Sequence, residues 1–178
     1  MSAWALGLYK MMIRRLEERD VDGVVTIFND IVLHEDSFIN EEPMSPDGLK
    51  ELVHDHVVCY VAVEDDEIAG FYYMHPLFEG RANHIGNSTY GVAKRYRRKG
   101  IGFNLGKHSI AVARKLGFRY LLFTSVLSTN KGSNKIWEKL GFEKLSSIEY
   151  GYRNHNGDLV ATNQYLLDLG PNEPDACI

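Results

Sequence analysis

Apolar and polar positions follow two different periods along this chain, and the switches between them mark its elements. Met11-Met12-Ile13-Arg14-Arg15-Leu16 reads as a first strand. Asp20 then stands ahead of Val21, Val24, Val25, Ile27, Phe28, Ile31 and Val32, a broad apolar face at helical spacing, with Asp20 as its N-cap. Ser45-Pro46 predicts a second helix, with Ser45 as N-cap and Pro46 at the first helical position. Val57 to Val63 and Ile68 to Met74 flank the turn Glu64-Asp65-Asp66-Glu67 and predict a hairpin. Gly80 to Asn83 is a loop, and His84 to Ala93 is a strand of mixed polarity, an unusual trait in a core strand.

Helical spacing returns at Ile101, Leu105, Ile110, Val112, Ala113 and Leu116, and Gly117 ends that helix. Tyr120 to Val126 reads as a fully buried strand. Asn134 to Leu140 predicts a helix stopped by Gly141. Phe142 to Tyr150 and Leu159 to Leu169 predict two strands around the loop Asn154-His155-Asn156-Gly157. Strands and helices mix without strict alternation. The predicted class is therefore α/β (α+β), a mixed central sheet with helices on both faces. Residues 1–10 read as an N-terminal extension, 11–169 as one domain and 170–178 as a flexible tail.

Composition narrows the function classes. The chain has 178 residues, enough for one domain with a self-sufficient core. Its net charge of −4 argues against general nucleic-acid binding, which rests on neutralising phosphates. The two cysteines, Cys59 and Cys177, suggest no disulfide framework. No apolar stretch reaches the ~20 residues of a membrane span, and the charges at Lys10, Arg14 and Arg15 follow the apolar N-terminus, the reverse of a signal peptide. A cytoplasmic protein is expected.

The segment Val92 to Gly102 carries the chemistry. A strand runs into a loop in which five of the six residues Lys94–Lys99 are basic, and the loop opens a helix. Free N–H groups at a helix start, with the positive end of its dipole, form an anion site suited to phosphate. Gly100 and Gly102 let a pyrophosphate approach the backbone. The Walker spacing fails, because five residues separate Gly100, and three separate Gly102, from Gly106-Lys107. The dinucleotide pattern fails at Leu105. A solvated basic turn is the bland reading.

What fits is Arg97-x-x-Gly100-x-Gly102, which resembles the R/Q-x-x-G-x-G/A signature of the GNAT superfamily of N-acetyltransferases. Asn130-Lys131-Gly132-Ser133, then Ile136-Trp137-Glu138-Lys139-Leu140-Gly141-Phe142, resembles the second signature of that family, in the right order and at the right distance. The resemblance runs from Met12 to about Leu169. It implies acetyl-CoA as co-substrate, lying where the strands His84–Ala93 and Tyr120–Val126 splay apart. Gly91 and Val92 would hold the pantetheine arm, and the backbone of Arg97, Arg98, Lys99, Gly100, Ile101 and Gly102 the pyrophosphate. Charge from Arg97, Arg98 or Lys99 would assist, and Asn130 would reach the pantetheine or the acceptor.

The implied chemistry is acyl transfer from a thioester to a neutral amine in a ternary complex. A backbone N–H near Val92 would serve the oxyanion. Trp137 stands where many members of the family have a tyrosine acid, and an indole N–H cannot protonate a thiolate. Tyr90, Ser133, water or an unprotonated thiolate are the alternatives. Asn87 within its strand, with Ser128-Thr129-Asn130, Ser133 and Trp137, resembles the fungal azetidine-2-carboxylate acetyltransferases, in which asparagines bind a cyclic amino acid. Asn87 is accordingly an expected acceptor-binding residue, and Glu35 is another, because it follows the first helix, where the family resemblance implies a substrate loop. A small amine or amino acid is the expected partner; a peptide acceptor, or a CoA-binding module without transfer, stays open. A homodimer also stays open. No metal is expected: His54-Asp55-His56 does not place its histidines on one helix face.

Overall fold

A computed structural model describes residues 11–53 and 57–171. The predicted N-terminal extension, the tail from residue 172, and His54, Asp55 and His56 lie outside the described residues. Seven strands form one mixed sheet: β1 (Met12–Arg15), β2 (Val58–Glu64), β3 (Glu67–Pro76), β4 (Ile85–Val92), β5 (Tyr120–Leu127), β6 (Glu143–Arg153) and β7 (Leu159–Asp168). Their order across the sheet is β1-β2-β3-β4-β5-β7-β6. The helices are α1 (Val21–His34), α2 (Pro46–Leu52), α3 (Ile101–Lys115) and α4 (Lys131–Lys139).

Each face of the sheet buries its own apolar layer, as the alternation in the strands requires. On one face α1 sets Val24, Phe28 and Ile31 against Cys59, Val61, Phe71 and Tyr73. On the other, α3 and α4 set Ile101, Leu105, Ala113 and Trp137 against Tyr72, Met74, Leu121, Phe123 and Tyr165. The hairpin turn carries Asp65 and Asp66 at φ of 54° and 61°, the left-handed pair of a tight two-residue turn. Ser45 caps α2 as expected, accepting from the Gly48 N–H at 3.0 Å.

Asp20 differs from its expected role. It occupies the N-cap position of α1, but its carboxylate does not cap the helix. It accepts instead from Arg14 at 2.5 and 2.9 Å and from the Glu17 N–H at 2.8 Å. A guanidinium outcompetes a single backbone amide for a buried carboxylate. Helix α4 starts three residues earlier than the apolar spacing indicates, because the Asn130 side chain accepts from the Ser133 N–H at 3.0 Å and caps it.

The feature that positions the site is a split. Strands β4 and β5 are the sheet's parallel pair, and only Ile85↔Tyr120 and Gly86↔Leu121 stay in register before they diverge. A register shift between Phe123 and Val126 releases Thr124 and Ser125 from β7 as well. Backbone groups of β4 from residue 87 onward thus face an open wedge on the β5 side.

Candidate active site

Two adjoining cavities occupy the wedge. The larger, about 680 Å³, is lined by the end of α1, the end of β4, the loop before α3 and the start of α4. The smaller, about 170 Å³, lies between β4 and β5 under residues Ser37 to Asn40. Tyr90, Asn130, Ser133 and Trp137 line both.

The larger cavity has the build of an anion site. Gly100 takes φ of 83°, in the left-handed region that favours glycine, and turns the chain into α3. The N–H groups of Arg98 through Gly102 have no acceptor among the described residues. Gly102 leaves its cradle open: a Cβ there would stand 3.2 Å from Ile136 Cδ1 and 3.7 Å from Val92 Cγ2. Unpaired N–H groups at the positive end of a 15-residue helix attract phosphate.

The basic run behaves differently from the sequence-based expectation. The Arg97 guanidinium donates to the Val92 carbonyl (3.0 Å) and to Glu35 (2.8 Å), and the Arg97 N–H bonds to the Lys94 carbonyl. It braces α1 against the end of β4 and has little left for a phosphate. Lys99 is not among the lining residues; its ammonium lies 3.8 Å from Glu64 and over the Tyr96 ring. Lys94 pairs with Asp30, and Arg95 with Glu67. Arg98 is the lining cation of the run without a carboxylate partner among the described residues, and it too is left-handed, at φ of 61°. Electroneutral pairing explains the pattern: each carboxylate within reach took up one of the cations.

Val92 lines the larger cavity, whereas Gly91 does not: its Cβ position meets Phe71 and Ile31 on the α1 face. The Ala93 N–H bonds to Ala69 on the β3 side. Strand alternation therefore turns the Val92 N–H toward the wedge, where an oxyanion donor is needed.

Tyr90 presents its ring to both cavities but not its hydroxyl. Ser109 donates to the Gly106 carbonyl (2.8 Å), so the Tyr90 hydroxyl, 2.7 Å from Ser109 Oγ, is the donor in that pair. Burial pushes its pKa up to about 12, the bond to Ser109 opposing this only in part. The expected acid role of Tyr90 is thereby disfavoured, since its proton is held beneath α3. Trp137 packs against Phe123 (4.7 Å between ring centroids) and Tyr90 (4.8 Å), and its buried Nε1–H has no partner among the described residues.

Asn87 lines the smaller cavity. The β3–β4 register runs unbroken from Gly70↔Val92 to Pro76↔Gly86, so no bulge turns it away. Glu35 lines the larger cavity rather than the smaller, with its carboxylate engaged by Arg97. His34 stays on the exposed surface of α1 beside Asp30.

Sequence reasoning missed Ser37–Asn40, Thr89, Thr124 and Ser125, which line the smaller cavity. The pair Thr124-Ser125, interrupting an apolar strand, was a signal for it. Another missed residue is Asn134, which donates to the Leu127 and Asn130 carbonyls (2.8 and 2.7 Å) and accepts from Asn163 and Tyr165 (2.7 and 2.8 Å). It fixes the start of α4 to the ends of β5 and β7, and so places Asn130 and Ser133.

Residues 25–142 match the acetyltransferase (GNAT) family, and the chain belongs to that family of acetyl-CoA-dependent N-acetyltransferases. Among curated proteins it is similar to the N-acetyltransferase aca1 of Schizosaccharomyces pombe, 35% identical over 82 residues. That match covers 46% of this chain and 39% of the yeast protein. It is also similar to YwnH of Bacillus subtilis, 28% identical over 137 residues, covering 74% of this chain and 83% of the other. The fold is shared with a GCN5-related N-acetyltransferase from Kribbella flavida (TM-score 0.81, 23% identity, 89% of this chain and 97% of that one). It is shared too with a phosphinothricin acetyltransferase from Sinorhizobium meliloti in complex with AcCoA (TM-score 0.83, 20% identity, 90% and 89%). No helix among the described residues is long and apolar enough to cross a membrane.

Proposed function

We propose that this chain transfers the acetyl group of acetyl-CoA to the amine of a small molecule, an amino acid or an amino-acid analogue. One observation carries the reading: an anion-binding cavity meets a smaller cavity of about 170 Å³ that no charged side chain lines among the described residues. Acetyl-CoA supplies an activated thioester. Its pyrophosphate suits the free N–H groups of Arg98–Gly102, with Arg98 adding charge, and its pantetheine arm suits the wedge beside Val92. Asn130 has its Oδ1 committed to the Ser133 N–H, which leaves its amide N–H₂ for the pantetheine or the acceptor.

In the smaller cavity Asn87 offers both a donor and an acceptor to an amine or a carboxylate. The amine nitrogen attacks the thioester carbonyl; a C–N bond forms, the C–S bond breaks, and the sulfur departs with the electron pair. The Val92 N–H stabilises the developing oxyanion. No carboxylate or imidazole lines the smaller cavity among the described residues, so the amine sheds its ammonium proton to water before attack, and the N–H proton released as the amide forms passes to water as well. Trp137 contributes packing, and the thiolate leaves without a tyrosine acid; a thiol of pKa ~8.5 permits this. The small cavity volume favours small amines over peptides. The reading is tested by free-thiol release across a panel of amines, amino acids and short peptides, with small amino acids or cyclic amines expected to lead.

A further inference from the structure

The tip of the β6–β7 hairpin reaches back to the end of α1 through His155. The His155 N–H and its Nδ1 lie 2.9 and 2.8 Å from the same carboxylate oxygen of Asp36, and its Nε2 lies 3.1 Å from the Val32 carbonyl. Both ring nitrogens therefore face oxygens that only accept. A neutral imidazole has one N–H and leaves one of these contacts as lone pair against lone pair; the imidazolium satisfies both. The Val32 carbonyl belongs to the last turn of α1, where the helix dipole favours a cation.

Asp36 opens the segment that roofs the site. Asp36, Ser37 and Phe38 line the larger cavity, and Ser37 to Asn40 line the smaller. The far end of the segment is clamped by Asn29, whose side chain bonds to the Met44 carbonyl and N–H at 3.0 and 2.7 Å. Phe38 leans on Phe28, 5.1 Å between ring centroids, while Ile39 between the clamps is 72% exposed. With Met44 held by Asn29, the other end is held by Arg97 on Glu35, just before the segment, and by His155 on Asp36 itself.

We propose that His155, as an imidazolium, is a positioning residue for the acceptor cavity: it holds Asp36, and through it Ser37–Asn40, in the form that binds the amine. The catalytic part of this rests on the acetyl-transfer reading; the tie itself does not. The charged and titratable groups around it are Asp36 and the Tyr152 hydroxyl, whose pKa is pushed up by burial first and then by the charges of Asp36 and Glu41. Arg153 and Asp158 of the hairpin are engaged within it, by the Gly157 carbonyl and Asn154. The tie is complete with the imidazolium and loses one of its two ring bonds with the neutral imidazole.

The experiment compares the wild type, His155→Arg, which keeps a cation and two donors, and His155→Ala. Acceptor KM and acetyl-CoA Kd are measured from pH 5.5 to 8.5, with amide hydrogen exchange of residues 36–45. Dividing the wild-type values by those of His155→Arg at each pH removes the ionisation of the amine and the intrinsic exchange rates. The expected KM and exchange ratios are near 1 at pH 5.5 and rise about 3- to 10-fold by pH 8.5, the scale of one lost net hydrogen bond. His155→Ala should be raised at every pH, with acetyl-CoA Kd unchanged. Flat ratios, or a His155→Ala acceptor KM within about 2-fold of wild type, overturn the proposal. If no amine is acetylated, the transfer reading fails, and the exchange ratios alone decide on the tie.

Discussion

Replacing Gly102 by aspartate puts a carboxylate at the second residue of α3, where the account places a pyrophosphate. The backbone tolerates the change. Gly102 is helical, and the added Cβ meets the flexible end of Ile136 at 3.2 Å and Val92 Cγ2 at an ordinary 3.7 Å. A carboxylate at a helix N-terminus stabilises by ~0.3–1 kcal/mol, and losing a helical glycine adds up to ~1 kcal/mol, so the protein should fold with an unchanged or slightly raised Tm. Binding should suffer from the same carboxylate. Two unit charges about 5 Å apart at an effective dielectric of ~20 repel by ~3 kcal/mol, less where water screens them. Adding the competition for the free N–H groups, the expected loss is ~2–4 kcal/mol, or about 30- to 1,000-fold in acetyl-CoA Kd. Calorimetric titration measures it. Gly102→Ala should lose only a few-fold. Ala111→Asp, on the exposed side of the same helix, should bind as wild type. A folded Gly102→Asp protein with wild-type affinity, or an equal loss in Ala111→Asp, would refute the reasoning.

Four further outcomes are expected. Asn87→Ala should raise acceptor KM or lower kcat by about 5- to 100-fold, the cost of an unpaired polar partner, with acetyl-CoA Kd little changed; steady-state kinetics with both substrates varied checks this. Trp137→Phe should keep at least about a tenth of kcat, because the indole serves as packing; a thousandfold fall at unchanged Kd and Tm would assign its N–H to the departing thiolate. The rate on a primary amine should climb about tenfold per pH unit below the amine's own pKa, as no group of the smaller cavity takes the proton. Asp20→Asn should cost ~2–4 kcal/mol in urea denaturation by stranding Arg14. The Arg14 hydrogen bond, opposed in part by burial, holds the Asp20 carboxyl below the usual carboxylate range. Its contribution is therefore full above about pH 4 and is lost as pH falls through the depressed folded value.

The elements were legible because burial imposes period: strands β2 to β5 and helices α1 and α3 appear where the apolar spacing put them. The anion loop was legible because Arg97-x-x-Gly100-x-Gly102 is a local pattern whose backbone does the work. The directions of the side chains were not. Arg97 turns to Glu35, 62 residues away, and Lys99 to Glu64, and no local pattern states which carboxylate closes on which cation. The start of α4 was hidden because Lys131-Gly132-Ser133 carries no apolar periodicity, and the cap at Asn130 alone marks it. Tyr90 faces the wedge by strand parity, yet the fate of its hydroxyl depends on Ser109 of α3. The roof Ser37–Asn40 lies in an irregular segment, where neither period applies and tertiary contacts, among them those of Phe28, Asn29 and His155, set its place.

The central claim is that the split between β4 and β5 brings a thioester and a small amine together. It is tested most directly by free-thiol release from acetyl-CoA in the presence of single amino acids and cyclic amines, with the acetylated product identified by mass. The account predicts amine-dependent thiol release and an N-acetyl product from a small acceptor, abolished or strongly reduced at fixed acetyl-CoA in Gly102→Asp. Tight acetyl-CoA binding with no amine-dependent release from any small acceptor, or release only with peptides too large for a cavity of about 170 Å³, would contradict it.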